Sequence, residues 1–317
     1  DLVYANTAVT GFTAENVTVT ESGMGFMMPY GINLSFKNVT LDVESAGVGI
    51  YNYNASKATF EDCNFTAYPP VRLDQKNATN AYSLTFNGTN TFAGSDEWLI
   101  VNGTDAKFTV TLNDPSLDVH KTSGLIAGVG NVYYNTFDYA LAQAKSTQEE
   151  DAVKILKTVI LSADQTIDFE NIAVTSTVNP AFRITDGATV TVENGNMNTE
   201  NGGYNFILGA SDDSSAGNLT IKSGKYHASI TVASVTKGNL VIEGGDFSLV
   251  EGTTDYRYLI NCIDANYNNE TATVAISGGT FHNWNPQNNA AEGAGTNFLK
   301  DGFKAVEAEG WFVVEKE

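Results

Sequence analysis

Three observations predict an all-β chain: a right-handed parallel β-helix, built as a solenoid of two tandem modules with one short capping helix. One phrase recurs four times between Ala188 and Trp284. A second ladder, of phenylalanines, runs at a near-24-residue period through the first 115 residues. Long Glu/Lys/Leu/Ala runs, the raw material of helices, are almost absent.

The recurring phrase reads Val192-Glu-Asn-Gly195-Asn-Met197, Ile221-Lys-Ser-Gly224-Lys-Tyr226, Ile242-Glu-Gly-Gly245-Asp-Phe247 and Ile276-Ser-Gly-Gly279-Thr-Phe281. Each copy has a β-branched residue, a polar step, a glycine, one polar residue and a large apolar side chain. The glycines stand 29, 21 and 34 residues apart, in or near the range of solenoid repeats. Each glycine is expected to supply a positive φ at a corner, with the following aromatic or Met turned inward.

The first module, residues 1–130, is Gly-poor. Phe12, Phe36, Phe60, Phe86 and Val110 stand at intervals of 24, 24, 26 and 24, and apolar and polar residues alternate around them, as in strands with one buried face. Between them lie second apolar runs: Gly25–Met28, Val48–Tyr51, Val71–Leu73 and Trp98–Val101. Two or three strands per 24 residues without a helix describe one coil, and the phenylalanines are expected to form an internal ladder. An antiparallel sandwich would instead place hairpin signals every 8–12 residues, and Asn87-Gly88 and Asn102-Gly103 do not keep that rhythm.

Asp114-Pro115 closes the fifth phrase, and Gly124–Gly130 reads as a linker. The second module is expected over 131–317. Asn135 or Thr136 caps a helix with Phe137, Ala140, Leu141 and Ala144 on one face. Such a helix suits the open end of a solenoid, which would otherwise expose strand edges. Strands at Val153–Leu156 and Val159–Leu161 follow. Companion strands to the four phrases are read at Ala181–Ile184, Phe206–Leu208, Ile230–Val232 and Tyr258–Ile260, and the bulky tail from Phe298 to Val314 as a terminal cap.

Composition bounds the function. The chain has 317 residues and a net charge of −20, from 17 basic against 37 acidic residues. No basic stripe exists to neutralise phosphates, so neither nucleic acid nor an anionic membrane is an expected partner. No apolar run is long enough for membrane insertion. Ca²⁺ would need clustered oxygen ligands, and none is legible, so no cofactor is expected. Cys63 and Cys262 lie in apolar strand phrases and are expected to be buried free thiols. The start at Asp1, without a signal pattern, reads as a mature or trimmed product.

Asn-x-Ser/Thr occurs ten times, at Asn16, Asn33, Asn38, Asn54, Asn64, Asn77, Asn87, Asn102, Asn218 and Asn269. These are glycosylation acceptors on one reading. On the favoured one they follow from a composition rich in Asn and Thr, with Asn suited to left-handed corners and able to ladder.

Residues 131–317 resemble the pectate-lyase-like right-handed β-helix modules of large surface proteins of gut bacteria and of some phage virion proteins. The resemblance rests on Val132-Tyr-Tyr-Asn-Thr-Phe137-Asp-Tyr-Ala-Leu141, on the Ile276–Phe281 type of repeat, and on Asn283-Trp-Asn-Pro286 with Thr296-Asn-Phe298 and Gly302-Phe303. Residues 1–130 share only the period. The resemblance implies a rigid extracellular scaffold, on a cell surface or virion, often non-catalytic.

Polysaccharide lyases and glycoside hydrolases use the same fold, so an enzyme of that kind is the alternative. Hydrolysis needs two carboxylates facing across a groove; the one adjacent aspartate pair, Asp212-Asp213, sits in a Ser/Ala/Gly turn. A lyase needs a base beside the uronate. Arg72 and Arg257 have acidic neighbours that suit surface pairs, Arg183 is the third arginine, and His120, His227 and His282 lack metal-ligand spacing. Outward aromatics carry more. Tyr51, Tyr53 and Tyr68 read as corner residues, and Tyr256, Tyr258, Tyr267, His282 and Trp284 lie close in sequence. Trp284, His282, Tyr256 and Tyr267 are the candidate glycan contacts, since flat amphipathic rings stack on sugar faces. The expected partners are surface glycans or neighbouring subunits, the latter in a homo-oligomer or larger assembly.

Overall fold

In a computed structural model the chain is 53% strand and 7% helix, a β-solenoid of about 9 turns. The structure describes residues 3–4, 9–28, 30, 32–51, 56–74, 81–92, 97–103, 107–147, 151–200, 203–250 and 258–317. The chain divides into two compact units, Asp1–Ala142 and Gln143–Glu317.

The first unit stacks two kinds of strand. One sheet runs Val3–Tyr4, Phe26–Met28, Val48–Tyr51, Val71–Asp74 and Leu99–Asn102, every neighbour parallel. The other holds Phe12–Ser22, Asn33–Val43, Ser56–Glu61, Tyr82–Asn87 and Phe108–Leu112, also parallel. The phenylalanine ladder is there in part. Phe36, Phe60 and Phe86 are in register and stack face to face, with centroids 5.1 and 4.9 Å apart, the spacing of the coils themselves. Phe12 and Val110 are not rungs of it. Phe12 pairs with Leu34 and Val110 with Leu84, while Ala14 and Leu112 occupy the ladder column. Equal spacing in sequence located the phrases but not the register, because turns differ in length and a two-residue shift keeps the same face inward.

The corner of four successive coils in this unit needs a left-handed residue. Asn16 (φ 55°), Asn38 (49°), Asp62 (54°) and Gly88 (67°) fill it in successive coils. These are the residue types that tolerate that region. The Asn38 amide donates to Asn16 Oδ1 at 2.7 Å. One position before the fourth corner, Asn131 donates to Asn113 and Asn113 to Asn87, at 2.7 and 2.8 Å. Several Asn-x-Ser/Thr asparagines are therefore explained by corner geometry and laddering. Asn54 and Asn77 lie outside the described residues.

Two antiparallel elements break the parallel rule, each on a terminal strand. In the first unit Val132–Tyr134 pairs with Thr109–Thr111 and with Ala127–Val129. In the second, Trp311–Lys316 pairs with Thr280–His282 and with Phe303–Ala308. The outer strand of that second hairpin is blunted: Gln287 Oε1 takes the Ala305 amide at 3.0 Å, and Lys304 pairs with Glu315 at 3.2 Å. The helix Phe137–Thr147 forms as expected. The Thr136 hydroxyl accepts from Tyr139 N at 3.1 Å, and Phe137, Ala140, Leu141 and Ala144 are buried.

The second unit has three parallel strands per coil. The phrase repeat sets its register. Val192, Ile221, Ile242 and Ile276 form one fully buried column, and Met197, Tyr226, Phe247 and Phe281 another. Tyr226, Phe247 and Phe281 stack at 5.3 and 4.9 Å. The companion column is Phe182, Phe206, Ala233 and Ile260, so the third companion strand is Thr231–Val235 rather than Ile230–Val232, and the fourth is Ile260–Cys262. The longest interval, Gly245 to Gly279, includes a second helix, Asp264–Asn268, that carried no sequence signal.

Gly224, Gly245 and Gly279 have the expected positive φ; Gly195 does not, and Asn194 before it is left-handed instead (φ 49°). Coils also approach closely here: a Cβ on Gly224 would lie 2.3 Å from Gly195 N. Gly224→Ala should therefore cost about 2 kcal/mol or more in denaturant unfolding, from strain and overlap together. A second anomaly is Asn205, fully buried with no hydrogen bond to either amide atom. It precedes Phe206, whose partner is Ala233, so its neighbour one coil on is the buried Val232. Asn205→Val should raise stability by about 1–2 kcal/mol, because the unpaired amide loses its hydration for nothing. An unchanged or lowered midpoint would contradict that account.

Candidate functional site

A concavity lies in the first unit, where the regular lattice ends. At the fourth corner the Asp62 carboxylate accepts from Thr89 N at 2.9 Å. Asn90, 3% exposed, is then tied on three sides. Its Oδ1 accepts from Cys63 N at 3.0 Å, and its Nδ2 donates to Asn87 O at 2.9 Å and to Asp114 Oδ2 at 3.0 Å. Asp114 is buried, which by itself would raise its pKa. Hydrogen bonds from the Ser116 hydroxyl and amide and from the Asn90 amide and side chain outweigh that burial, and hold the carboxyl below its ordinary range. The chain after Asp114 is thus anchored to the preceding coils.

Beyond this anchor the segment 114–121 leaves the lattice. It ends in a 3₁₀ turn, Val119–Lys121, capped by Asp118, whose Oδ1 accepts from His120 N at 2.9 Å. Trp98 holds the segment from the other side: its indole N–H donates to Asp118 O at 2.8 Å and its backbone N to Lys121 O at 3.0 Å. Phe92 stacks on Trp98 (5.8 Å, 24°) and Trp98 meets Phe86 edge-on at 5.0 Å. Between Phe92, Trp98 and the 116–121 segment is a cleft of about 340 Å³. Its floor is Phe92, Trp98 and Leu117, and its rim carries Thr91, Asp118 and Lys121. Strand Thr91–Phe92 pairs with Asn64–Phe65, and Phe92, the end of that stack, is half-buried.

None of these residues was a candidate contact in the sequence. The available signal was loss of rhythm: after Val110 the apolar alternation gives way to the polar run from Asp114 to Lys121. The residues that were candidates sit in the second unit. Trp284 is 8% exposed, packed against Phe281 (5.7 Å) and Phe298 (6.2 Å), with its indole N–H unpaired. Tyr267 meets Phe298 edge-on at 5.8 Å. His282 lies against Trp311 of the terminal hairpin at 4.8 Å. Trp284 and Tyr267 thus share Phe298, while His282 has a different ring partner. Tyr256 lies outside the described residues, as do Tyr53, Arg257 and the side chain of Tyr51. Tyr68 is exposed at a corner.

The other polar candidates have ordinary structural partners. Arg72 pairs with Asp74 at 3.0 Å, Arg183 donates to Gly209 O at 2.9 Å, and Asp212 accepts from Ser214 N at 3.0 Å in an exposed turn. His227 Nδ1 lies 2.8 Å from Ser248 Oγ. Among the described residues no three His, Cys, Asp or Glu side chains come together as metal ligands. Both cysteines are buried and free, and burial pushes the Cys63 thiol up to about 11 and the Cys262 thiol up to about 12, so both are unreactive thiols. No family model, curated protein or solved structure matches this chain.

One carboxyl is held against its preference. Glu292 Oε1 accepts from Cys262 N at 2.6 Å, while Oε2 is buried without a partner. Desolvation, and then the charge of Asp264, raise its pKa above the ordinary 4.5, against the lowering effect of the Cys262 amide. A raised carboxyl pKa means the unfolded chain ionises first, so stability falls as pH rises from the ordinary value through the raised one. Glu292→Gln keeps the Cys262 bond and removes the charge. It should raise the melting temperature at pH 7 and leave it nearly unchanged near pH 4. An equal shift at both pH values would exclude the electrostatic cause.

Proposed function

We propose that this chain is a non-catalytic structural and adhesive element of an extracellular surface, a cell envelope or a virion, related in design to pectate-lyase-like surface modules. The observation that carries this reading is the use of side chains along the stack. Columns such as Phe36–Phe60–Phe86 and Tyr226–Phe247–Phe281 fill the interior. Amide ladders such as Asn87–Asn113–Asn131 and Asn218–Asn239–Thr273 join coil to coil on the outside. Both devices repeat at the coil spacing and stiffen each unit, which is what a surface scaffold requires. The net charge of −20 supports solubility and discourages self-association and contact with anionic surfaces. Recognition then belongs to the turns and irregular segments, where side chains are not committed to the stack.

The reading is tested by incubating the chain with pectin, polygalacturonate, alginate and neutral β-glucans while following unsaturated products and new reducing ends. The expected outcome is no turnover of any of them. Turnover that disappears when an exposed carboxylate or arginine is replaced would establish a polysaccharide lyase or glycoside hydrolase instead.

A further inference from the structure

We propose that the cleft beside Trp98 is a binding site for an uncharged saccharide, seated with a C–H face of one sugar ring on Phe92. This deepens the adhesive reading and rests on it. The volume, about 340 Å³, lies at the lower end of small-ligand sites, which span about 300–1,000 Å³. The chemistry of the rim narrows the class. Among the described residues the Thr91 hydroxyl and the Lys121 ammonium have no partner. Asp118 uses Oδ1 on the His120 amide and keeps Oδ2 free, and the Ser116 hydroxyl donates to Asp114 and keeps its lone pairs. The cleft therefore offers both donors and acceptors beside its apolar residues.

An anionic ligand would meet Asp118 and the field of a chain carrying −20. A cationic ligand would meet Lys121. A purely apolar ligand would strip water from Thr91, Asp118 and Lys121 without replacing it. A neutral ring with hydroxyls in its plane and C–H groups on its face satisfies all of them: hydroxyls donate to Asp118 and accept from Lys121, and the apolar face covers the half-buried Phe92. The position suits recognition too. Asn90 and Asp114 hold the cleft wall from beneath with neutral and charge-assisted hydrogen bonds, so the site is formed before ligand arrives.

The experiment is an array of neutral and acidic oligosaccharides probed with the whole chain, followed by titration calorimetry with the best neutral hit. Phe92→Ala and Lys121→Met should each weaken binding by about tenfold or more. Lys222→Met, which removes the same charge from the second unit, should leave binding unchanged. Melting curves identify a Phe92→Ala variant that has lost its fold, in which case Phe92→Leu and Thr91→Val replace it. Absence of neutral hits, hits confined to uronates or sulfated sugars, or binding that survives both cleft substitutions would overturn the site. None of these outcomes bears on the scaffold reading, which fails only on polysaccharide turnover.

Discussion

Coils stacked about 4.8 Å apart lie on top of themselves, so each column of side chains must accept the same kind of residue in every coil. That constraint governs the molecule. It places Val192 under Ile221, Ile242 and Ile276, and Phe36 under Phe60 and Phe86, in contacts that dispersion and desolvation both favour. The aromatic rings are parallel to within about 11° in the central pairs. Their offset follows the advance of the backbone, so side-chain stacking and main-chain hydrogen bonding reinforce one register.

The same constraint explains the surface. A corner that needs a left-handed residue needs it in every coil, and Asn, Asp and Gly meet that need at Asn16, Asn38, Asp62 and Gly88. Asparagine adds a donor and an acceptor that point along the stack, so its amide continues the ladder that the backbone has begun. Where the corner residue is glycine, the gain is proximity: Gly224 lies against Gly195 with no room for a methyl group. An Asn- and Thr-rich, Lys-poor exterior is thus a consequence of how coils join, and not merely a solubility device.

Departures from the column rule mark places where another demand operates. Asn205 sits in a buried position that Val232 fills one coil later, and Glu292 keeps a carboxyl where burial and Asp264 oppose its charge. At the cleft, Phe92 ends the column Val19–Leu41–Phe65–Phe92 while the chain departs through Asp114 to Lys121. The first two are local costs carried by an otherwise regular core. The third leaves the half-buried Phe92 ring beside unpartnered polar groups, the composition on which the proposed saccharide site rests.

The sequence by itself determined that the chain is a solenoid, because identical stacking leaves a periodic trace: the phrase from Val192 to Phe281 specifies two interior columns to the residue. It also determined the Phe137–Thr147 helix, whose cap and apolar face are local. Only the tertiary structure decided what depends on a neighbour one coil away. Phe12 and Val110 shared the period with Phe36 yet fell out of its column, since strand register is a property of pairs and a two-residue slip preserves the inward face. Trp284 looked like an outward ring in a polar phrase, but Phe281 and Phe298, 17 residues apart in sequence, close around it. The cleft at Phe92 arises where strands stop pairing; the sequence marks the place only by the loss of rhythm after Val110, and the cleft itself became visible only when the coils were stacked.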